Sequence, residues 1–149
     1  MEKAIIKLKD NKFVLEKNYY DKIGRIGYLG GDYIYLEPEE VLYILKKGWA
    51  KLDNIRNFVD FIEKYNNIID FKKYYVFEDL RDKGYNVKIK DKFILLNNKE
   101  FIYTIYEYEF IEIDDIISIF DKYNITSIIL AILDIERNII YYEIDNINI

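Results

Sequence analysis

The sequence predicts a mixed α+β protein built as two small lobes. Strand-length stretches rich in β-branched and aromatic residues alternate with helix-length amphipathic stretches, each half of the chain contains both kinds, and no internal repeat, low-complexity tract or flexible linker interrupts them. At 149 residues and 51% hydrophobic, the chain has enough apolar material to bury a core as one domain or as two.

Residues 4–9 and 12–15 read as a hairpin turned by Asp10-Asn11, two residue types that tolerate positive φ. Two further strands are expected at 24–29 and 32–36, with Gly30-Gly31 as their turn. The run EPEEVLYILKKG is a helix: Pro38 stands early, acids sit at the positive end, lysines at the negative end, and Gly48 follows. Val41, Leu42 and Leu45 form its apolar stripe. Asp53 is the expected cap of a second helix running to Tyr65, in which Phe58, Phe61 and Ile62 recur at helical spacing. Asn66-Asn67 is the expected boundary, giving domains of residues 1–66 and 67–149.

In the second half, IIDFKKYYVFEDLRDKG predicts a helix from Ile68 that ends at Gly84, where a left-handed cap is favoured. Strands at 85–90, 93–96 and 101–109 follow, the last a tyrosine-rich run. Asp114 or Asp115 caps a short helix with Ile116, Ile117 and Phe120 facing inward. ITSIILAILD then reads as a fully buried strand, and a turn at 135–138 leads to the closing strand NIIYYEI.

Composition narrows the chemistry. The chain has no cysteine, which excludes disulfides, thiol nucleophiles and thiolate metal sites. It has no histidine, so proton transfer near neutral pH lacks its usual side chain, and no cofactor is expected. A net charge of −5 argues against a protein that holds nucleic acid unaided. No apolar run approaches the roughly 20 residues of a membrane span, and MEKAIIKLKDNK lacks the apolar core of a secretory signal, so a soluble cytoplasmic protein is expected.

Three stretches, in order, carry a resemblance: YLEPEEVLYILKKGWAKL, YVFEDLRDKGYNVKIKDKF and LAILDIERNIIYYEI. Together they resemble the archaeal tRNA-intron endonuclease family. That resemblance implies a restriction-endonuclease-like C-terminal domain and a metal-free attack of a ribose 2′-hydroxyl on the neighbouring phosphate. It also implies a tyrosine base, a histidine acid and a lysine that steadies charge on the phosphate. By strand order, the tyrosine's place falls at Leu96 and Asn97, the histidine's near Lys99 or Glu100, and the lysine's at Thr126 and Ser127. A slip in register would bring Tyr103 or Lys122 forward, but no shift restores a histidine. The resemblance thus implies no catalytic residue here, and a structural subunit of a heterotetramer of two silent and two catalytic chains, reaching precursor tRNA through that complex.

The same resemblance implies that the loop 134–138 inserts into a basic cleft of a neighbouring subunit through Asp134 and Glu136, although the residues also suit a solvated hairpin turn. Arg137 departs from the acidic, glycine-rich family loop. It further implies pairing through the last strand, with Tyr141, Tyr142 and Ile144 at the contact, although these residues would equally serve the chain's own core. Lys88, Lys90 and Lys92 alternate, so they share one strand face, either as a stripe for RNA phosphates or as an ordinary solvated side. The tyrosines from Tyr103 to Tyr108 read as core filling or as stacking surfaces for bases. Two other classes stay open. One is a metal-dependent nuclease using Glu107-Tyr108-Glu109 or Asp134-Ile135-Glu136, neither followed by a suitably spaced lysine; the other is a homodimeric interaction module joined through the last strand.

Overall fold

The computed structural model describes residues 4–146. Strands β1 (Ile5–Lys9) and β2 (Lys12–Glu16) form the expected hairpin. Lys9 pairs with Lys12, and Asp10 and Asn11 take φ of 50° and 62°. Strand β3 (Tyr28–Gly30) pairs with β4 (Tyr33–Leu36), and Gly30 lies opposite Tyr33. Their turn is therefore Gly31-Asp32, one residue later than the sequence suggests. Gly30 is in the ladder, at a position where a Cβ would come within 2.7 Å of the Tyr35 ring. The expected strand 24–29 is only its last residues, since Gly24, Arg25 and Gly27 all have positive φ and bend the chain.

Helix α1 (Pro38–Lys47) has a reciprocal capping box between Glu37 and Glu40, with the Glu37 amide donating to Glu40 Oε1 at 2.9 Å. It closes on Gly48 at φ 72°. Val41 and Leu42 are buried as expected, joined by Tyr43 and Ile44, whereas Leu45 is only half-buried. Strand β5 (Lys51–Leu52) pairs parallel to β1, completing the order β3-β4-β2-β1-β5. Helix α2 (Phe58–Tyr65) is capped by Asn57, whose side chain accepts from the Asp60 amide at 3.0 Å. Asp53 does not cap it, because the Asp53 amide still bonds to Ile6 O at 3.0 Å and extends the β5 edge. Of its three expected core residues, Phe61 is buried edge-on to Phe13 while Ile62 is half-buried and Phe58 is exposed.

Helix α3 (Phe71–Asp82) begins three residues later than expected, where the Asp70 side chain accepts from the Lys73 amide at 3.3 Å. It ends as expected: Gly84, at φ 90°, donates to Arg81 O and Tyr85 donates to Leu80 O, a left-handed closure. The chain separates into two compact units, Met1–Tyr74 and Tyr75–Ile149, the division falling within α3.

The second unit holds β6 (Val87–Lys90), β7 (Phe93–Leu96), β8 (Glu100–Tyr106), α4 (Ile113–Tyr123), β9 (Ser127–Leu133) and β10 (Ile139–Asp145). The sheet order is β10-β9-β8-β7-β6, antiparallel throughout except for β8–β9, which run parallel and need α4 as their crossover. Strand β8 stops at Tyr106 instead of Glu109 because Glu109 turns back: its amide donates to Tyr106 O, and its carboxylate accepts from the Tyr106 amide at 2.8 Å. Helix α4 starts directly after Glu112, so Asp114 and Asp115 lie in its first turn and neither is the cap. Its inward stripe is Ile116, Ile119, Phe120 and Tyr123. Ile117 lies about a quarter-turn away and is 45% exposed. Burying Ile119 and Phe120 contributes about 1.5–3 kcal/mol each.

Cross-strand pairing sorts this sheet into two faces. Phe93, Leu95, Phe101, Tyr103, Ile128 and Ile144 face α4 in one cluster. The opposite face meets the later turns of α3: Tyr141 Oη donates to Asp79 Oδ2 at 2.8 Å, and the Arg137 guanidinium lies 4.7 Å from the Tyr75 ring centroid. Strand β9, expected to be fully buried, has Ser127, Ile129 and Ile132 half-buried and its other four positions buried. Among the described residues, no helix is long and apolar enough to cross a membrane.

Candidate functional site

The register of the second sheet brings three separate stretches of sequence to one place. Leu96 pairs with Glu100 across β7–β8. The parallel β8–β9 register sets Ile102 opposite Ile129, which carries Glu100 to the level of Ser127. Leu96, Glu100 and Ser127 therefore stand side by side on the same face, at the end where β8 and β9 begin. Asn97, Lys99 and Thr126 flank them and are exposed. The loop joining β7 to β8 is tight, with Asn97 and Asn98 at φ 52° and 57° and Lys99 N donating to Leu96 O at 3.0 Å. This is a coherent site geometrically, but its groups are an aliphatic chain, two amides, one ammonium, one carboxylate and two hydroxyls. None is an imidazole or a phenol.

Loops 107–112 and 134–138 leave the opposite end of the sheet and are tied there by the Glu107 amide donating to Leu133 O at 2.8 Å. Asp134 organises its own loop. Its Oδ1 accepts from the Glu136 amide at 2.8 Å and the Asn138 amide at 2.9 Å, and its Oδ2 accepts from Asn138 Nδ2 at 3.1 Å. These bonds, the Asn138 amide first, hold its carboxyl below the usual aspartate range. Glu136 is exposed beside Ile135, which is 90% exposed, so the loop presents a carboxylate and an aliphatic side chain outward.

The last strand does not act as a block. Ile144 packs on the α4 cluster, and Tyr141 turns to the α3 face, where burial first and then the bond to Asp79 push its phenol above its ordinary range. Tyr142, on the α4 side, is 55% exposed, as is Ile140. At the other edge, Lys88 and Lys90 share the face of their partners Leu95 and Phe93. The Lys90 ammonium lies 5.8 Å from the Phe101 ring centroid. Lys92, in the β6–β7 turn, lies 5.7 Å from that of Phe93. Of the tyrosine run, Tyr103 joins the core cluster, and the Tyr106 and Tyr108 rings stack on each other at 5.2 Å.

One pair escaped the sequence reading. Glu39 and Lys73 are both buried in the first unit, with Lys73 Nζ 3.5 Å from Glu39 Oε1 and the Asp70 amide donating to Glu39 Oε2 at 3.3 Å. Burial raises the Glu39 carboxyl, and the nearby Lys73 charge partly offsets it. An acid in the first turn of a helix normally reads as a partner of the helix dipole, and the sequence offers no sign that this one is enclosed. Among the described residues, no group of three or more carboxylates is placed to hold a metal ion.

No family model matches the chain. Over 73 residues it is 42% identical to a protein of Pyrococcus furiosus named tRNA-splicing endonuclease. The likeness covers 45% of this chain and 42% of that protein, so the chain spans less than half of the relative's length.

Proposed function

We propose that this chain is a structural, non-catalytic subunit of a tRNA-splicing endonuclease. It would assemble with a catalytic subunit, two copies of each, to excise introns from precursor tRNA. Residues 1–66 would form the N-terminal domain of that family, and residues 67–149 a restriction-endonuclease-like domain without its triad. One observation carries the reading: Leu96, Glu100 and Ser127, one from each place that resemblance assigns to tyrosine, histidine and lysine, stand side by side on one sheet face, flanked by Asn97, Lys99 and Thr126. Such a face has no phenol or imidazole to move protons between the 2′-oxygen and the leaving oxygen. The similarity to the endonuclease from Pyrococcus furiosus supports the family.

In this assembly Glu136 at the loop tip, braced by Asp134, would pair with arginine or lysine of the catalytic subunit. Strand β10 would supply the second contact through Tyr142, with Ile144 anchoring the strand on the α4 face and Tyr141 on the α3 face. Lys88, Lys90 and Lys92 would meet RNA phosphates. The test mixes the chain with a catalytic paralogue and an intron-bearing precursor tRNA. Cleavage should appear only in the mixture, leaving a 2′,3′-cyclic phosphate and a 5′-hydroxyl. Cleavage by this chain alone, or a paralogue whose size and activity are unchanged by it, overturns the reading.

A second reading, a homodimeric interaction module, is favoured by the open β10 edge itself, since Ile140 and Tyr142 suit a second copy equally well. Light scattering that finds a stable homodimer indifferent to the paralogue would select it.

A further inference from the structure

Between the β6–β7 turn and α4 lies an open cleft of about 340 Å³ whose lining combines cations with aromatic rings. Lys92 comes from the turn and Lys122 from the last turn of the helix, with Tyr103 of β8 and Tyr123 at the end of α4 between them. Asp115 is the acid at its rim. We propose that this cleft binds one nucleotide unit, its phosphate held by Lys92 and Lys122 and its base resting on Tyr103 and Tyr123.

Three features support that chemistry. The volume is near the low end of the roughly 300–1,000 Å³ range of small-ligand pockets, the scale of one nucleotide and not of a duplex or a dinucleotide cofactor. The rings are held in place before any ligand arrives: Phe93 packs against Tyr103 at 5.8 Å and Tyr123 at 5.2 Å, and Phe101 against Tyr123 at 5.2 Å. Both tyrosines remain half-buried, so part of each ring faces the cleft. Base stacking on such fixed rings is indifferent to base identity, since every base has a π-face. Finally, both lysines are exposed and extend along aromatic rings, Lys92 beside Phe93 and Lys122 5.3 Å from the Tyr123 centroid, so their ammonium groups stay near the cleft.

The cleft is distinct from the Leu96–Glu100–Ser127 face. Tyr103 is three residues further along β8, about 10 Å away, and points to the other side of the sheet. The inference concerns the isolated chain and does not require the splicing reading, so either can fail alone.

The same chemistry is offered by a free nucleotide and by an unpaired residue of single-stranded RNA. The experiment titrates the full chain with fluorescein-labelled pentauridylate and pentaadenylate by anisotropy, and with UMP and AMP by calorimetry. Binding of the pentamers alone assigns an RNA chain, and binding of UMP or AMP assigns a free nucleotide; both support the cleft if they depend on its lysines. With one phosphate neutralised, raising salt from about 50 to 200 mM should weaken RNA binding roughly two- to threefold. Lys92→Ala with Lys122→Ala should weaken binding at least tenfold and flatten that salt response, while Lys64→Ala in the first unit should change neither. Asp115→Asn should tighten binding a few-fold, a gain that misfolding cannot imitate. Failure of all four probes to bind, or binding unchanged in the double variant and in Asp115→Asn, overturns the proposal.

Discussion

The two edges of the second sheet are finished differently. At β6, Lys88 and Lys90 lie over the partner strand, and the Arg81 side chain donates to Val87 O at 3.1 Å from Nε and 2.6 Å from Nη2. Charge and a side-chain bond thus close the edge to another strand. At β10 the carboxylates Glu143 and Asp145 occupy only the later half of the strand, while in its earlier half Ile140 and Tyr142 are each 55% exposed at an edge with no further strand beside it. One edge is built to stay alone. The other keeps the apolar and hydrogen-bonding surface that a partner strand would cover.

Placing lysine on the open edge gives the strongest test. Ile140→Lys with Tyr142→Lys should weaken association through β10 by about a hundredfold, since buried aromatic anchors carry most of an interface. Folding stability should stay within about 0.5 kcal/mol, because both side chains are exposed. Sedimentation and urea titration read the two effects separately, and unchanged assembly would remove β10 as the contact. The closed edge should respond in the opposite sense: Arg81→Ala strands the Val87 carbonyl, destabilising the fold by about 2 kcal/mol in urea without creating a partner. A smaller loss is expected for Tyr141→Phe, which removes the half-buried bond to Asp79 that pins β10 from below, about 1 kcal/mol by the same measurement.

The smallest effect concerns the loop that feeds β10. Because its folded carboxyl titrates below the ordinary aspartate value, Asp134 stabilises the loop fully above about pH 4 and loses that contribution as pH falls through the lowered value. Protection of the Glu136 and Asn138 amides, corrected for the intrinsic pH dependence of exchange, should fall on acidification over that window, and Asp134→Ala should lower it above that window and remove the pH response. A loop whose exchange ignores both changes would not depend on the carboxylate.

Much of this contrast is legible in the sequence. Asp10-Asn11, the Pro38-to-Gly48 helix and the Gly84 closure were readable because turn and cap chemistry is local, fixed by which residues accept left-handed backbone or accept from a free amide. The alternation of Lys88 and Lys90 reveals their shared face for the same reason. Asn57, by contrast, was hidden behind Asp53, since both residue types cap helices and only the β1–β5 pairing commits Asp53 elsewhere. Ile117 and Ile119 differ only in helical phase, which was set by a start at Ile113 that no strong cap announces. The adjacency of Leu96, Glu100 and Ser127 depends on a parallel register between strands more than 20 residues apart, and the sequence alone reaches it only through resemblance.

Phe110 has its ring 99% exposed at the tip of the loop between Tyr106 and Ile113. A chymotrypsin-like protease reads such a side chain directly, so the polypeptide should be nicked there before anywhere in its sheets. The two pieces should nevertheless stay together, because the central β8–β9 ladder crosses the cut with five residue pairs. The same bond is where new chain ends, or an inserted reporter, could be introduced with the least disturbance to the fold.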